Sequence, residues 1–188
     1  NPTIPKPDYG WLPPIRIPDP LFWKGGEMPK VAPGLKVERF ASGLIHPRWL
    51  LVLPDGGVLV AEADGPAEPI KRPKDLVMLW AMKYAKRAVK PPGRISLLRD
   101  RDGDGRAESR VTYADGMEAP FGMALVDNVL YVADTGALLR FGYREEADRP
   151  TSGPELVTRL PHGPINHHWT RNVIASPDGS RLYVTVGS

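Results

Sequence analysis

Apolar and polar residues alternate in short runs along most of this chain, and turn residues separate the runs. Leu35-Lys36-Val37-Glu38-Arg39-Phe40 alternates with period two, the pattern of a half-buried strand. Trp49-Leu50-Leu51-Val52-Leu53, a Pro54-Asp55-Gly56-Gly57 turn and Val58-Leu59-Val60-Ala61-Glu62 predict a hairpin. The unit returns twice. Residues 120–126, the pair Asp127-Asn128 and residues 129–134 form one copy. Residues 171–175, a turn over 176–180 and residues 181–186 form the other. Each unit is followed by more strand-like sequence, which predicts radially repeated four-stranded sheets. The expected fold is therefore all-β, a β-propeller with about three blades over residues 34–188. A β-sandwich of three hairpins is the competing arrangement.

Two stretches break this pattern. Residues 75–90 contain no Gly or Pro and stop at Pro91-Pro92-Gly93, which predicts a helical insertion. Val77, Trp80, Ala81, Tyr84 and Ala88 fall on one face of that helix. Lys83, Lys86, Arg87 and Lys90 fall on another. The expectation is a helix packed on the rim with a solvated basic face; contact with a membrane surface is the alternative. Residues 1–33 hold nine of the 22 prolines, together with Tyr9, Trp11, Phe22 and Trp23. Proline lacks an N–H, so this stretch cannot build ladders or helices. Its rings favour an extended arm that wraps a folded body over a flexible linker.

A chain of 188 residues can bury one real core. It has no cysteine, which removes disulfides, thiolate metal ligands and a Cys nucleophile. The formal charge of +3 hides a local excess: residues 71–99 hold nine Lys or Arg and one acid, leaving 16 basic against 21 acidic residues elsewhere. The basic stretch has neither interleaved aromatics nor a reading module, so no nucleic-acid partner is expected. No apolar run reaches the length of a membrane span, no signal peptide is present, and a first residue of Asn1 points to a processed or trimmed product.

Two segments carry candidate chemistry. Asp100-Arg101-Asp102-Gly103-Asp104-Gly105 and then Glu108 place carboxylates on a tight glycine-rich turn, which is how calcium loops collect oxygen ligands. Glu108 stands at the ninth position rather than the twelfth, and no flanking helices are expected, so this is not an EF-hand. The expected metal ligands are Asp100, Asp102, Asp104 and Glu108, with calcium in a structural role; a polar hairpin turn is the plain alternative. The second segment is Leu160-Pro161-His162-Gly163-Pro164-Ile165-Asn166-His167-His168-Trp169-Thr170-Arg171. Adjacent histidines behind a Gly-Pro turn, at the entrance of a strand, point to proton chemistry near neutral pH.

Three stretches also carry a resemblance. GLIHPRWLLVLPDGGVLVAEADG (43–65) resembles the opening blade of the glucose/sorbosone dehydrogenase family. APFGMALVDNVLYVADTGALLRF (119–141) and LPHGPINHHWTRNVIASPDGSRLYVTVGS (160–188) resemble its sorbosone dehydrogenase branch. The likeness covers residues 34–188. It implies a six-bladed propeller that binds pyrroloquinoline quinone (PQQ) and oxidises a sugar or sugar aldehyde, passing electrons on to an acceptor and working in the periplasm or otherwise exported. The family's catalytic base is a His followed four residues later by Arg, which maps onto His167 through Arg171. The base takes a proton from the substrate hydroxyl while hydride passes to the quinone. His168 is then expected on the other side of the strand entrance as a packing or hydrogen-bonding residue.

The chain departs from the family in two places. Asn166 stands where an Asp precedes the base, and Met117-Glu118 stands where the glucose dehydrogenases carry a Gln. The resemblance covers an amino-terminal half. The Arg and Lys that grip the quinone are thus expected in a carboxy-terminal half that the chain would need as a partner, and no cofactor-binding residue is assigned here. A calcium-dependent lactonase-like propeller and a non-enzymatic propeller binding a carbohydrate or protein are the other functions weighed.

Overall fold

The structure is a computed structural model and describes residues 26–65, 70, 73–84, 92–163 and 168–187. The chain divides into two compact units, residues 1–26 with 70–89, and residues 27–69 with 90–188.

Among its described residues the second unit holds ten strands: β1 (Pro47–Val52), β2 (Val58–Glu62), β3 (Arg94–Arg99), β4 (Ser109–Ala114), β5 (Met123–Val126), β6 (Val129–Asp134), β7 (Ala137–Gly142), β8 (Ser152–Arg159), β9 (Val173–Ala175) and β10 (Leu182–Val184). Each of the three expected hairpins forms. Leu51 pairs with Leu59, Leu125 with Leu130 and Ile174 with Tyr183. The first two extend into four-stranded antiparallel meanders, β1-β2-β3-β4 and β5-β6-β7-β8, and the third is the pair β9-β10.

Side-chain alternation decides how these sheets stack. On β6, Leu130 and Val132 turn toward Leu59, Ala61, Ile95 and Leu97 of the first sheet. Tyr131 and Ala133 turn the other way, toward Val173, Leu182 and Val184 of the third. Strands β5, β6 and β7 of the middle sheet are therefore covered on both faces, while the outer strand β8 is exposed. A two-layer sandwich does not do this; meanders stacked like the blades of a propeller do. The second sheet approaches the third tightly at Gly122, whose N–H donates to Arg171 O at 2.9 Å. A Cβ there would lie 2.4 Å from Asn172 Oδ1 and 2.5 Å from Val173 N, so only glycine fits.

One expected strand does not form. Residues 35–40 alternate in sequence but pair with no ladder. The segment is instead tied by Ala107 N–H to Phe40 O at 2.8 Å, while Arg110 Nη1 donates to Gly43 O at 2.7 Å just beyond it. Lys36 and Glu38, on one side of the alternation, pair with each other at 2.5 Å in solvent. Period two marks a strand only where a neighbour supplies the backbone partners.

The first unit contributes one described helix, α1 (Pro73–Tyr84). It begins two residues before the expected start, with Pro73 at a position where its missing N–H costs nothing. Asp75 in the first turn and Lys83 in the last suit the helix dipole. The expected continuation to residue 90 lies outside the described residues, as do residues 1–25 of the expected arm. The expected division of faces is not seen. Val77 and Trp80, assigned to the packed side, are exposed, and so are Leu76 and Leu79.

The stack sets a contrast in stability. Leu130→Ala empties a site with no exposure between the first two sheets and should cost about 2–5 kcal/mol. Ile174→Ala, on the open face of the third sheet, should cost under about 1 kcal/mol. Urea unfolding of the two variants beside the wild type measures both.

Candidate active-site end and the opposite carboxylate loop

The end of β2, the hairpin bend between β6 and β7 and the entrances to β5 and β9 lie at one end of the stacked sheets. Here each entering chain is held by a side-chain oxygen. Glu62, fully buried, accepts from Arg94 Nε at 3.0 Å, from Ser96 Oγ at 2.5 Å and from the N–H of Ile45. Asp134 accepts from the N–H groups of Glu118 at 3.0 Å, Ala119 at 2.6 Å and Thr135 at 2.9 Å. At the third sheet Thr185 Oγ1 accepts from Asn172 N–H at 3.1 Å. Burial alone would push the Glu62 carboxyl up, but the hydrogen bonds from Arg94, Ile45 and Ser96 outweigh it and hold it below the usual carboxylate range. The signal for these clamps was in the sequence: a carboxylate closes two otherwise apolar runs, VLVAE and VLYVAD.

Aromatic rings link the same entrances. Phe121 lies between Trp49, with centroids 5.6 Å apart, and Trp169, edge-on at 6.1 Å. The Arg48 guanidinium sits 5.4 Å from the Trp169 centroid, donates to Ala63 O at 2.8 Å and pairs with Asp64 Oδ1 at 2.7 Å. His46 Nδ1 lies 4.0 Å from the other oxygen of Asp64. Thr135 Oγ1 donates to Trp169 O at 3.3 Å, and a Cβ on Gly65 would meet the Trp169 ring at 2.8 Å. Trp169 is thus held from both neighbouring sheets.

Among the described residues Arg171 is the largest fully buried side chain. Its Nη1 donates to Thr170 O at 3.1 Å and to His168 O, its Nη2 donates to Pro161 O at 3.0 Å, and its Nε has no partner. No carboxylate faces it among the described residues, and burial pushes its pKa down. In the sequence Arg171 served only to mark the histidine four residues earlier. Its structural part is to tie Pro161 to His168 and Thr170.

His167 and Asn166 lie outside the described residues. His168 is exposed, and its Cβ would touch one placed on Gly187 at 2.6 Å. Strand β9 starts only at Val173, so His168 stands ahead of the strand rather than on it. Met117 is buried and Glu118 exposed. Met117 N–H donates to Gly93 O at 3.1 Å, and Glu118 is held through its own N–H by Asp134.

The carboxylate loop belongs to the other end. Strand β3 runs from Arg94, beside Glu62, to Arg99, and Asp100 follows. Six residues of strand separate the two ends by about 17–20 Å. Ligand oxygens of Asp100, Asp102, Asp104 and Glu108 lie within 4.8 Å of one another. Asp100 accepts from the N–H groups of Gly103 at 2.7 Å and Gly105 at 2.9 Å, and Glu108 accepts from that of Arg101 at 2.7 Å. Each carboxylate oxygen has two lone pairs, so these bonds shape the turn and leave capacity for a cation. Next to the loop, buried Arg99 joins Asp55 at 3.0 Å to Asp148 at 3.3 Å and to Ala147 O, tying the first sheet to the second. Burial would lower its pKa, but Asp55 and Asp148 raise it. Tyr113 beside this network is pushed up to about 12, mainly by burial.

No protein-family model matches this chain, and no curated protein matches it. Solved structures do. An enzyme of Carbohydrate-Active Enzymes Family AA12 from Trichoderma reesei aligns with a TM-score of 0.60 at 18% identity, over 85% of this chain and 34% of that one. The PQQ domain of pyranose dehydrogenase from Coprinopsis cinerea aligns with a TM-score of 0.60 at 17% identity, over 85% of this chain and 32% of that one. A putative oxidoreductase (glucose dehydrogenase) from Thermus thermophilus aligns with a TM-score of 0.54 at 25% identity, over 82% and 41%. At 17 and 18% identity the likeness shows a shared fold, and the chain spans 32 to 41% of the length of these proteins.

The Glu62 clamp has a testable pH signature. A carboxyl held low stabilises the fold above its unfolded pKa, and the contribution fades as pH falls through the folded value. Glu62→Gln should cost about 3 kcal/mol at neutral pH, because Arg94 loses its buried counter-charge. The difference from wild type should shrink below about pH 4. Urea unfolding of both proteins across this range measures it, and a gap independent of pH would remove the charge from the explanation.

Proposed function

We propose that this chain is part of a PQQ-dependent dehydrogenase that oxidises a sugar or sugar aldehyde, of the L-sorbosone or aldose type, in the periplasm or otherwise outside the cytoplasm. The observation that carries the proposal is the likeness of the stacked meanders to the pyranose dehydrogenase PQQ domain and to the putative glucose dehydrogenase. The resemblance of residues 160–188 to the sorbosone branch supports the narrower substrate class. In this reading the sheets are blades of a six-bladed propeller, completed by sequence beyond these residues.

The described residues do not by themselves make a quinone site. A quinone with several carboxylates needs cations, and three of the arginines described at this end are engaged, while Arg159 stands exposed at the end of the outer strand β8, opposite Ala137. Arg48 pairs with Asp64, Arg94 with Glu62, and Arg171 with carbonyls. When bound, the quinone would supply the hydride acceptor. The contribution we assign to this chain is the base: His167 takes the proton from the substrate hydroxyl, on a segment whose flanks Arg171 ties together. Asn166 beside it can orient the imidazole but cannot stabilise its positive charge as a carboxylate would.

In the full-length protein reconstituted with PQQ, His167→Ala should lower dye-linked aldehyde oxidation by roughly two to four orders of magnitude. His168→Ala should cost far less. Equal losses, or the reverse order, would move the base elsewhere, and hydrolysis without an electron acceptor would replace the dehydrogenase reading with a lactonase.

We also propose that Asp100, Asp102, Asp104 and Glu108 bind calcium. Four hard oxygen donors within 4.8 Å suit an ion that takes oxygen ligands at about 2.3–2.6 Å. The distance from the other end of the sheets gives the ion a structural role and weighs against a metal-dependent hydrolase. Calcium should raise the melting temperature of the wild type and leave that of Asp102→Ala unmoved. No shift at millimolar calcium would leave the loop a turn.

A further inference from the structure

Helix α1 exposes the residues a soluble helix buries. Leu76 is 57% exposed, Val77 54%, Leu79 40% and Trp80 61%. At 3.6 residues per turn these four span an arc of about 160°. Lys83, one turn further on and also exposed, falls within the same arc. Contiguous apolar surface of this kind marks an interaction face. The sequence around it is strongly cationic. Residues 71–90 hold seven Lys or Arg and one acid, against 18 basic and 21 acidic residues in the rest of the chain.

We propose that α1 docks on an anionic phospholipid membrane and lies in its interface. Three features select this occupant. A bilayer surface offers negative charge and an apolar phase at the same place, and α1 presents Lys83 together with large apolar side chains in a cationic stretch of sequence. A second copy of the chain would bring two such cationic segments into contact, and like charge opposes that. A nucleic acid would meet the charge but gives Leu76, Val77 and Leu79 no apolar phase to enter. The geometry fits an interfacial position. Twelve residues make a helix about 18 Å long, and no described helix is long and apolar enough to cross a membrane. Trp80 is of the type that settles at the headgroup level, and lysine can reach from there to lipid phosphates. Docking of this kind would hold the stacked sheets beside a membrane through α1. It does not depend on the identity of the substrate or cofactor.

The test is co-sedimentation of the full-length protein with vesicles of phosphatidylcholine, alone or with roughly a third phosphatidylglycerol. Binding is expected to the anionic vesicles, about tenfold weaker to the neutral ones, and weakened again in about 0.5 M salt. Leu76→Ser with Leu79→Ser should weaken it about tenfold at low salt, and Lys83→Glu should weaken it and reduce its salt dependence. Both variants should melt at the wild-type temperature, because the changed side chains face solvent. Absence from the anionic pellet overturns the proposal, as does wild-type binding by the double variant. A lowered melting temperature of the double variant would show that the face is packed within the protein and also overturns it. An oligomer in the wild type that the same substitutions disperse, without vesicle binding, assigns the face to a second copy instead.

Discussion

The double burial of β6 is the constraint on which this architecture depends. A strand with one wet face needs one neighbouring sheet. A strand whose successive side chains are all apolar or small needs two. Leu130, Val132 and Ala133 have no exposed surface, and they point to opposite sides. The middle sheet is therefore stable only between the first and the third. The stacking direction, the close approach at Gly122 and the packing of Val173 follow from it. Continuous apolar runs of this kind usually signal parallel strands. Here they belong to antiparallel meanders because each sheet is itself a layer between layers.

Stacking leaves the ends of the sheets as the polar part of the unit, and the two ends solve that problem differently. At one end, side-chain oxygens on or beside the second strand of each sheet, buried at Glu62 and Asp134 and exposed at Thr185, take up the N–H groups of the entering chain, and the rings of Trp49, Phe121 and Trp169 cross the gaps between sheets. At the other, an arginine bridges two sheets through carboxylates, and a carboxylate-rich turn follows at the next residue. The first end offers shaped loops and half-buried aromatics, which suits a small-molecule site. The second offers exposed hard oxygen ligands, which suits an ion that fixes a loop.

Much of the fold was legible in the sequence, for physical reasons that differ by element. The hairpins around residues 47–62, 123–134 and 173–184 show because both members of each pair are in the sequence, a few residues apart, with a turn between them. Residues 35–40 carry the same period without a local partner, and no ladder forms. Helix α1 was found from its lack of breakers, yet its faces were assigned by assuming that apolar residues pack, and Val77 and Trp80 are exposed. The carboxylate cluster was readable because its ligands are close in sequence. The inter-sheet contacts of Trp169 were not, since Arg48, Gly65 and Phe121 come to it from segments about 50 to 120 residues away.

Arg171 shows how a residue type limits what its neighbourhood can do. A buried cation is normally matched by a carboxylate, and this one is surrounded by carbonyl dipoles from both sides of residues 162–167. The planar guanidinium can reach three carbonyls at once with its charge spread over the fork; an ammonium would concentrate that charge at a point and could not span them in the same way. The arrangement fixes backbone and leaves no positive charge facing outward. Arg48 and Arg94 are committed in the same manner, one to Asp64 and a tryptophan ring, the other to Glu62. These three cations thus hold the walls of this end in place. An anionic ligand seated among them must draw its counter-charge from other residues, whereas the base we propose, His167, needs no such partner, because an imidazole is neutral at rest near neutral pH.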